Sequence, residues 1–229
     1  MGRKHLLSRL LSLPANHYFT VFTVSFILYE IIMKYPAIKI FALSLLFIVS
    51  AWVLFVGFKL PVTWEYSELA RNLIEYHKFS YAHLGADYLC LCPPLYSFLL
   101  AGIYFISNYN HLAVIFAQII IYSLLCVVIF NIGKNIFNVK IGIIASILLM
   151  AHPGIIFYVL RNEHSLILDA FMFALSAFCM LALYDKPAVK NAIICGIILG
   201  LASLSRGTAL ILLPLFMAWV IFRFSMPIK

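Results

Sequence analysis

The acidic side chains best placed for proton exchange lie at two polar places in this chain. Glu65 and Glu68 belong to the segment Val62–Cys92, the most polar part of the sequence, and Glu163 lies in a short polar corner further on. A carboxylate beside a reacting hydroxyl can accept its proton or orient it. These three residues are therefore the candidates for acid–base chemistry.

Two arginines are candidates for binding an anion. Arg161 precedes the acidic corner, and Arg206 lies in a Ser-Arg-Gly turn between apolar stretches. A guanidinium offers paired donors that match a phosphate group. An arginine at a helix end can also serve only to reach the polar surface, and both interpretations stay open for Arg206. Likewise, Arg161 can pair with Glu163 or with lipid headgroups.

Metal binding has little support in the sequence. Cys90 and Cys92 lie too close together for an ordinary disulfide, and two thiols without a companion pair or a histidine cluster make a weak metal site. The other three cysteines, Cys126, Cys179 and Cys195, lie in apolar stretches and are typical of packing residues. We therefore expect no metal and no cofactor, since no motif supports a divalent cation.

The elements that position these residues are predicted to be membrane helices. Hydrophobic residues make up 65% of the 229 residues and charged residues 10%, and the mean hydropathy is +1.07. A soluble domain of this size cannot bury so much apolar surface, whereas a run of about 20 apolar residues crosses a bilayer. The sequence predicts an all-α, polytopic helical membrane protein with seven or eight hydrophobic segments. The qualifying stretches are Tyr18–Ile32, Ile40–Phe58, Pro94–Ile106, Leu112–Ile132, Ile141–Val159, Ser165–Tyr184, Asn191–Leu204 and Thr208–Phe222.

Basic residues predict which helix ends face the cytoplasm. The net charge of +8 comes from residues scattered over loops, which excludes the clustered basic face of a nucleic-acid-binding protein. Short loops rich in lysine tend to be cytoplasmic, and the loops 134–140 and 186–190 are of this kind. By alternation, the corner at 161–164 and Arg206 fall on the opposite side. A simple count of crossings places Val62–Cys92 with the lysines, so charge alone leaves its side open.

The residues Glu65–His77 contain no glycine or proline and predict an amphipathic helix. Its apolar face is predicted from three residues at spacings of four and three, Leu69, Leu73 and Tyr76. The helix is too polar to span a bilayer, so we expect it along the surface. On its own, this pattern is typical of a linker with an interfacial helix. Phe79–Cys92 predicts a returning loop, and Pro93 and Pro94 suit the first turn of a new helix.

Two further features concern the apolar stretches. Gly196 and Gly200 have the spacing of a small-residue helix contact, which predicts close packing of their helix on a neighbour. Asp169 lies inside an apolar stretch, where an acid is costly, and we expect it to face protein or a water-filled cavity.

The order of these features resembles the GT-C membrane glycosyltransferases. The residues that carry the likeness are Tyr66–x–x–Leu69–Ala70–x–x–Leu73, Pro93–Pro94–Leu95–Tyr96, Arg161–x–Glu163 and the glycine-containing run from Gly196 to Arg206. Together they cover roughly residues 61–214. In particular, the chain resembles the dolichyl-phosphate-mannose–protein mannosyltransferases and aminoarabinose transferases, which form glycosyltransferase family 39 and its bacterial relatives.

The resemblance implies an enzyme that moves a sugar from a polyprenyl-phosphate-linked donor to an extracytoplasmic acceptor, which can be a lipid, a glycan or a protein. It implies one transmembrane domain over residues 1–229, with an external loop at 62–92 and a helical bundle at 93–223. It also implies an integral protein of a bacterial or archaeal cell membrane, surrounded by lipids and without nucleic acid. The alternatives are a degenerate or truncated relative that binds a lipid or a partner, and a small transporter.

The resemblance also implies site residues. The expected catalytic residues are Glu65, Glu68 and Glu163. The residues expected to bind substrate or lipid phosphate are Arg206, Arg161, Tyr66 and Tyr96. The family carries an aspartate shortly before the tyrosine, whereas the nearest carboxylate here is adjacent to it. Because the family's chains are longer, we expect a fragment, a truncated paralogue or a minimal form.

Overall fold

The structure, a computed structural model, describes residues 36–57, 59–83, 86–89 and 92–225. The described residues from Ile40 onward belong to one compact unit. The predicted segment Tyr18–Ile32 lies outside the described residues. In chain order the elements are α1 (Pro36–Ala51, continued by a π-helical turn, Trp52–Val56), α2 (Glu65–Tyr76), β1 (Ser80–His83), β2 (Ala86–Leu89), α3 (Pro94–Ser107), α4 (His111–Ile136), α5 (Val139–Met150), α6 (Pro153–Arg161), α7 (Leu166–Asp185), α8 (Val189–Ser205), a 3-10 turn (Gly207–Ile211) and α9 (Leu212–Ser225).

The described helices are those of a membrane protein, but the prediction of seven or eight spanning segments is not supported. By length and composition, three helices can cross a membrane, namely α1 extended to Val56, α4 and α7. The pair α5 and α6 qualifies as a fourth, with a bend of 54° between the two helices. At 14 residues, α3 is about 21 Å long, short of the ~30 Å hydrocarbon core.

The bend follows from the residues between α5 and α6. Pro153 occupies the first turn of α6, and its ring cannot continue the hydrogen bonding of the preceding helix. His152 caps the new helix, because its Nδ1 accepts the Ile155 N–H at 3.3 Å. One predicted stretch, Ile141–Val159, is therefore two helices.

The antiparallel helices α4 and α5 approach each other closely at two glycines. A methyl group on Gly133 would lie 2.8 Å from the Cα atom of Gly142, and one on Gly142 would lie 2.6 Å from the Phe130 carbonyl oxygen. Further along the pair, Ser146 Oγ donates to the Cys126 carbonyl at 2.9 Å. This contact fixes α4, whose first residues belong to the site described below.

The prediction of close helix packing at Gly196 and Gly200 is wrong for the described residues. A methyl group added to either glycine would have no atom within 4 Å. Gly196 instead borders an apolar groove beside α9. The buried side chains between α7 and α8 in this region are larger ones, Cys179, Leu183, Cys195 and Leu199.

The polar segment after α1 forms α2 and a short hairpin. The helix is confirmed, but its buried face is Tyr66, Leu69 and Ala70, whereas Tyr76 is 64% exposed. The predicted loop contains two antiparallel strands that pair Ser80 with Leu89, so the all-α prediction omitted a small β element. Pro94 begins α3 as predicted.

Both ends of the short helix α3 lie beside the loop that joins α6 and α7. Near its start, the ring of Tyr96 packs 5.3 Å from that of Tyr66 in α2, and Tyr66 is hydrogen-bonded to Ser165. Near its end, the Tyr104 hydroxyl donates to Glu163. Glu163 and Ser165 belong to one short loop between α6 and α7. Helix α3 therefore starts and ends near this loop and does not cross to the other end of the neighbouring helices.

Candidate functional site

Two distant loops pair along their backbones and align the site. The Val62 N–H donates to the Arg161 carbonyl at 2.7 Å, and the Glu163 N–H donates to the Val62 carbonyl at 3.0 Å. The indole N–H of Trp64 donates to Asn162 Oδ1 at 3.2 Å. The start of α2 is therefore fixed against the loop that joins α6 and α7.

A polar cavity of about 640 Å³ opens between α2, the hairpin and the start of α4. The side chains in its wall that can do chemistry are Glu65, Ser67, Glu68, Arg71, Glu75 and His111. Acids in the first turn of a helix are stabilised by the helix dipole, which suits Glu65 and Glu68. The structure thus brings two of the three predicted catalytic acids into one cavity.

The third predicted acid, Glu163, lies behind the wall of this cavity and is fully buried. Its Oε2 accepts hydrogen bonds from Ser67 Oγ at 2.6 Å and from the Tyr104 hydroxyl. Its Oε1 lies 2.7 Å from His111 Nδ1. Because Ser67 and His111 both line the cavity, Glu163 fixes these two side chains in the cavity wall and affects the cavity through them.

The turn before α4 determines where His111 lies. Asn108 and Tyr109 both have positive φ, 53° and 61°, an uncommon conformation for residues with side chains. The Asn110 side chain then caps the helix by accepting the Leu112 N–H at 2.9 Å. His111 therefore occupies the first position of α4, with its ring towards Glu163.

A second cluster surrounds the buried Asp169, which faces protein as predicted. Its Oδ1 accepts a hydrogen bond from Ser205 Oγ, and its Oδ2 lies 2.9 Å from Ser165 Oγ and 3.4 Å from Arg206 Nη1. Ser165 Oγ is also 3.2 Å from the Tyr66 hydroxyl. The side chain of Arg206 is 50% exposed, so Asp169 holds a guanidinium that can still meet a ligand.

His164 links the two clusters. Three aromatic rings pack edge-on against its ring, those of Trp64, Tyr66 and Tyr158. Its Nδ1 accepts the Leu166 N–H at 3.1 Å, so the Nε2 of the neutral ring carries the proton. Burial lowers the pKa of His164, and the charge of Arg206 acts in the same direction, against Glu65 and Asp169. His164 is therefore a neutral hydrogen-bond donor.

The environment of the Cys92 thiol disfavours the thiolate form that binds metals and acts as a nucleophile. Burial, together with the negative charge of Glu65, raises the pKa of Cys92 to about 11. Its Sγ lies 3.8 Å from Glu65 Oε1, and its predicted companion, Cys90, lies outside the described residues. Within the described parts of the chain, no group of three or more His, Cys, Asp or Glu residues is arranged to hold a metal ion.

Two predicted binding residues support the architecture. Tyr96 is fully buried, and its hydroxyl accepts from Gln118 Nε2 at 3.1 Å. Arg161 contributes its backbone carbonyl to the loop pairing, and across the described residues it forms no ion pair with Glu163. Sequence reasoning missed His111 and His164, because a single histidine has no spacing pattern to mark it.

Comparison with known proteins gives one match. The family model described as dolichyl-phosphate-mannose-protein mannosyltransferase matches residues 92–227, more than half of the chain. No curated protein and no solved structure matches the chain. The match includes His111, Glu163 and Arg206, whereas α2 precedes it. With its apolar helices and this match, the chain belongs to the dolichyl-phosphate-mannose–protein mannosyltransferase family of GT-C membrane glycosyltransferases.

Proposed function

We propose that this protein transfers a sugar from a polyprenyl-phosphate-linked donor to an acceptor at the outer face of the membrane. The observation that carries the proposal is the polar cavity of about 640 Å³, which shares helix α2 with the cluster around Arg206. A donor of this kind has a polar sugar phosphate and a long apolar chain. The cavity suits the first part, and the apolar helices suit the second.

The outer location rests on the lysine loops. Helix α7 runs from Asp169 to the loop at 186–190, and α8 returns to Arg206, so these lysines lie at the end opposite the site. Lys134 lies in the last turn of α4 and Lys140 in the first turn of α5, also at the far end. Lysine-rich loops favour the cytoplasmic side, and the site therefore faces outward. Counting back from Lys134 through α4, with no crossing by α3, also supports an outer location for residues 62–92.

Arg206 binds the phosphate of the donor. Negative charge grows on the phosphate as the bond to the sugar breaks, and a fixed guanidinium stabilises that charge. Asp169 fixes the guanidinium from one side, and half of the side chain stays open. His164, which is close enough for the charge of Arg206 to affect it, is the candidate for a second donor, through its Nε2–H. Of the other predicted binding residues we retain Tyr66, which joins α2 to this cluster.

Glu65 and Glu68 orient the acceptor. Both line the cavity in the first turn of α2, where a carboxylate can accept a hydrogen bond from an incoming hydroxyl. An acceptor that enters from the outer aqueous phase reaches this cavity without crossing lipid. The acceptor is therefore an extracytoplasmic hydroxyl-bearing molecule.

The donor assignment is tested by binding of polyprenyl phosphate to the purified protein in lipid nanodiscs. Arg206→Ala should weaken binding about tenfold or more, because a charge-assisted hydrogen bond contributes about 1.5–3 kcal/mol. Arg206→Lys should restore part of the affinity, since it keeps the charge and loses the paired geometry. Lys190→Ala, at the opposite end, is the control and should bind normally. Unchanged binding by Arg206→Ala would return Arg206 to a residue that only reaches the polar surface.

A further inference from the structure

We propose that His111 is the general base of the transfer and that Glu163 is its positioning residue. This inference deepens the proposed function and rests on it. It assigns the proton of the acceptor hydroxyl to a histidine in the cavity wall and leaves Glu65 and Glu68 to orient the acceptor.

The hydrogen bonds of Glu163 determine which nitrogen of His111 is available. Oε2 of this buried carboxylate accepts from Ser67 and Tyr104, and Oε1 faces His111 Nδ1 at 2.7 Å. A carboxylate only accepts hydrogen bonds, so Nδ1 carries the proton of the neutral ring. Nε2 is then a free acceptor, and it has no hydrogen-bond partner among the described residues. The His111 side chain is 27% exposed and lines the cavity.

The backbone on both sides holds this pair in place. The left-handed turn at Asn108 and Tyr109 brings His111 back towards Tyr104 of the preceding helix. On the other side, the Glu163 N–H is bonded to the Val62 carbonyl. A catalytic pair needs such support, because its geometry must hold to a fraction of an ångström.

A purely structural role for His111 and Glu163 explains less of this arrangement than a catalytic role does. Burying Glu163 requires hydrogen bonds to its oxygens, and the serine and tyrosine hydroxyls already supply two. A third neighbour of Glu163, either an apolar group or another hydroxyl, would complete the packing around it. The chain instead places there an imidazole that lines the cavity and whose second nitrogen has no hydrogen-bond partner among the described residues. A base oriented by a buried carboxylate has this geometry in hydrolytic triads.

The transfer forms one bond and breaks one bond at the anomeric carbon of the donor sugar. The acceptor oxygen forms a bond to the anomeric carbon of the donor sugar, and the bond from that carbon to the phosphate oxygen breaks. The electron pair of the broken bond leaves with the polyprenyl phosphate, next to Arg206. The acceptor proton moves to His111 Nε2, and Glu163 stabilises the resulting imidazolium. The proton then passes to solvent through the open cavity.

The test is chemical rescue in a sugar-transfer assay with the full-length protein and a polyprenyl-phosphate sugar. His111→Ala should lower kcat by about 10²–10⁴-fold, the usual contribution of a general base, with little change in donor KM. Added imidazole should raise the kcat of His111→Ala at least tenfold, because it can occupy the volume that the His111 ring vacates. Glu163→Gln should also lower kcat, since its amide can donate to Nδ1 and stabilise the wrong tautomer, and imidazole should not rescue it. His77→Asn, an exposed histidine outside the cavity wall, should match wild type.

Each outcome decides the inference. Wild-type kcat in His111→Ala overturns it, and so does a loss of activity that imidazole does not restore while donor binding is intact. If His111→Ala does not fold, His111→Gln is used instead, because it keeps a hydrogen bond to Glu163 without a base. A wild-type kcat in His111→Gln overturns the inference, and a large loss with normal donor KM supports it. No transfer by the wild-type protein from any lipid-linked donor overturns the proposed function itself, and the inference with it.

Discussion

Two buried acids hold the two halves of the site, and each presents a partly exposed partner. Glu163 accepts hydrogen bonds from a serine and a tyrosine and faces a histidine, whereas Asp169 is bonded to two serines and an arginine. Burial is tolerable for both because their oxygens are occupied. The partners that reach the substrate side are His111, 27% exposed, and Arg206, 50% exposed.

At the same scale, Glu65 is expected to be the more important of the two cavity acids. Glu65→Gln should reduce sugar transfer by about 10²-fold or more, because the amide keeps the shape but loses the charge that orients the acceptor. Glu68→Gln should reduce it less. Asp185→Asn, at the far end of α7, is the matched control and should transfer at the normal rate. A wild-type rate in Glu65→Gln would remove Glu65 from the site.

The residues of the site were predictable only where they changed the local pattern. Glu65 and Glu68 could be identified because they make a helix polar in an apolar chain. His111 could not be identified, because its partner is 52 positions away, and only the folded loops bring them together. Arg206 was recognisable as a cation between two apolar stretches, but its bond to Asp169 depends on the packing of α7 against α8.

At the scale of elements, apolar runs predicted the helices well and their breaks poorly. The prediction Leu112–Ile132 became α4, His111–Ile136, which begins one residue earlier and ends four residues later. The prediction Ile141–Val159 ignored Pro153, which starts a new helix at an angle of 54° to the last. The hairpin was missed because β1 and β2 have only four residues each, too few for a clear alternation.

Close packing of helices gives a prediction at this scale. Gly142→Ala places a methyl group 2.6 Å from the Phe130 carbonyl oxygen, and a backbone atom cannot move aside as a side chain can. Overpacking of this kind costs about 1–3 kcal/mol, so thermal unfolding in detergent should occur several degrees lower. Gly196→Ala is the control, because its methyl group meets no atom within 4 Å. Equal effects of the two substitutions would contradict the contact between α4 and α5.

At the scale of the whole molecule, the side of the membrane on which sugar transfer takes place depends on which end of the helices faces outward. Counting every apolar stretch as a crossing placed the polar segment with the lysines, on the cytoplasmic side. The structure removes one crossing from that count, because α3 has both ends beside the α6–α7 loop. Periodicity and hydropathy cannot reveal this, since a short apolar helix that lies at one end has the same composition as one that crosses. The contacts of Tyr96 and Tyr104 distinguish the two.

We expect the polar cavity to lie at the outer face of the membrane and the lysine loops at the inner face. The measurement is cysteine labelling of intact cells with a membrane-impermeant maleimide, in a protein whose five native cysteines are replaced by alanine. Lys78→Cys, an exposed position after α2, should be labelled before the cells are permeabilised. Lys186→Cys, exposed at the opposite end, should be labelled only afterwards. The reverse pattern, with Lys78→Cys protected until permeabilisation, would contradict an extracytoplasmic site for sugar transfer.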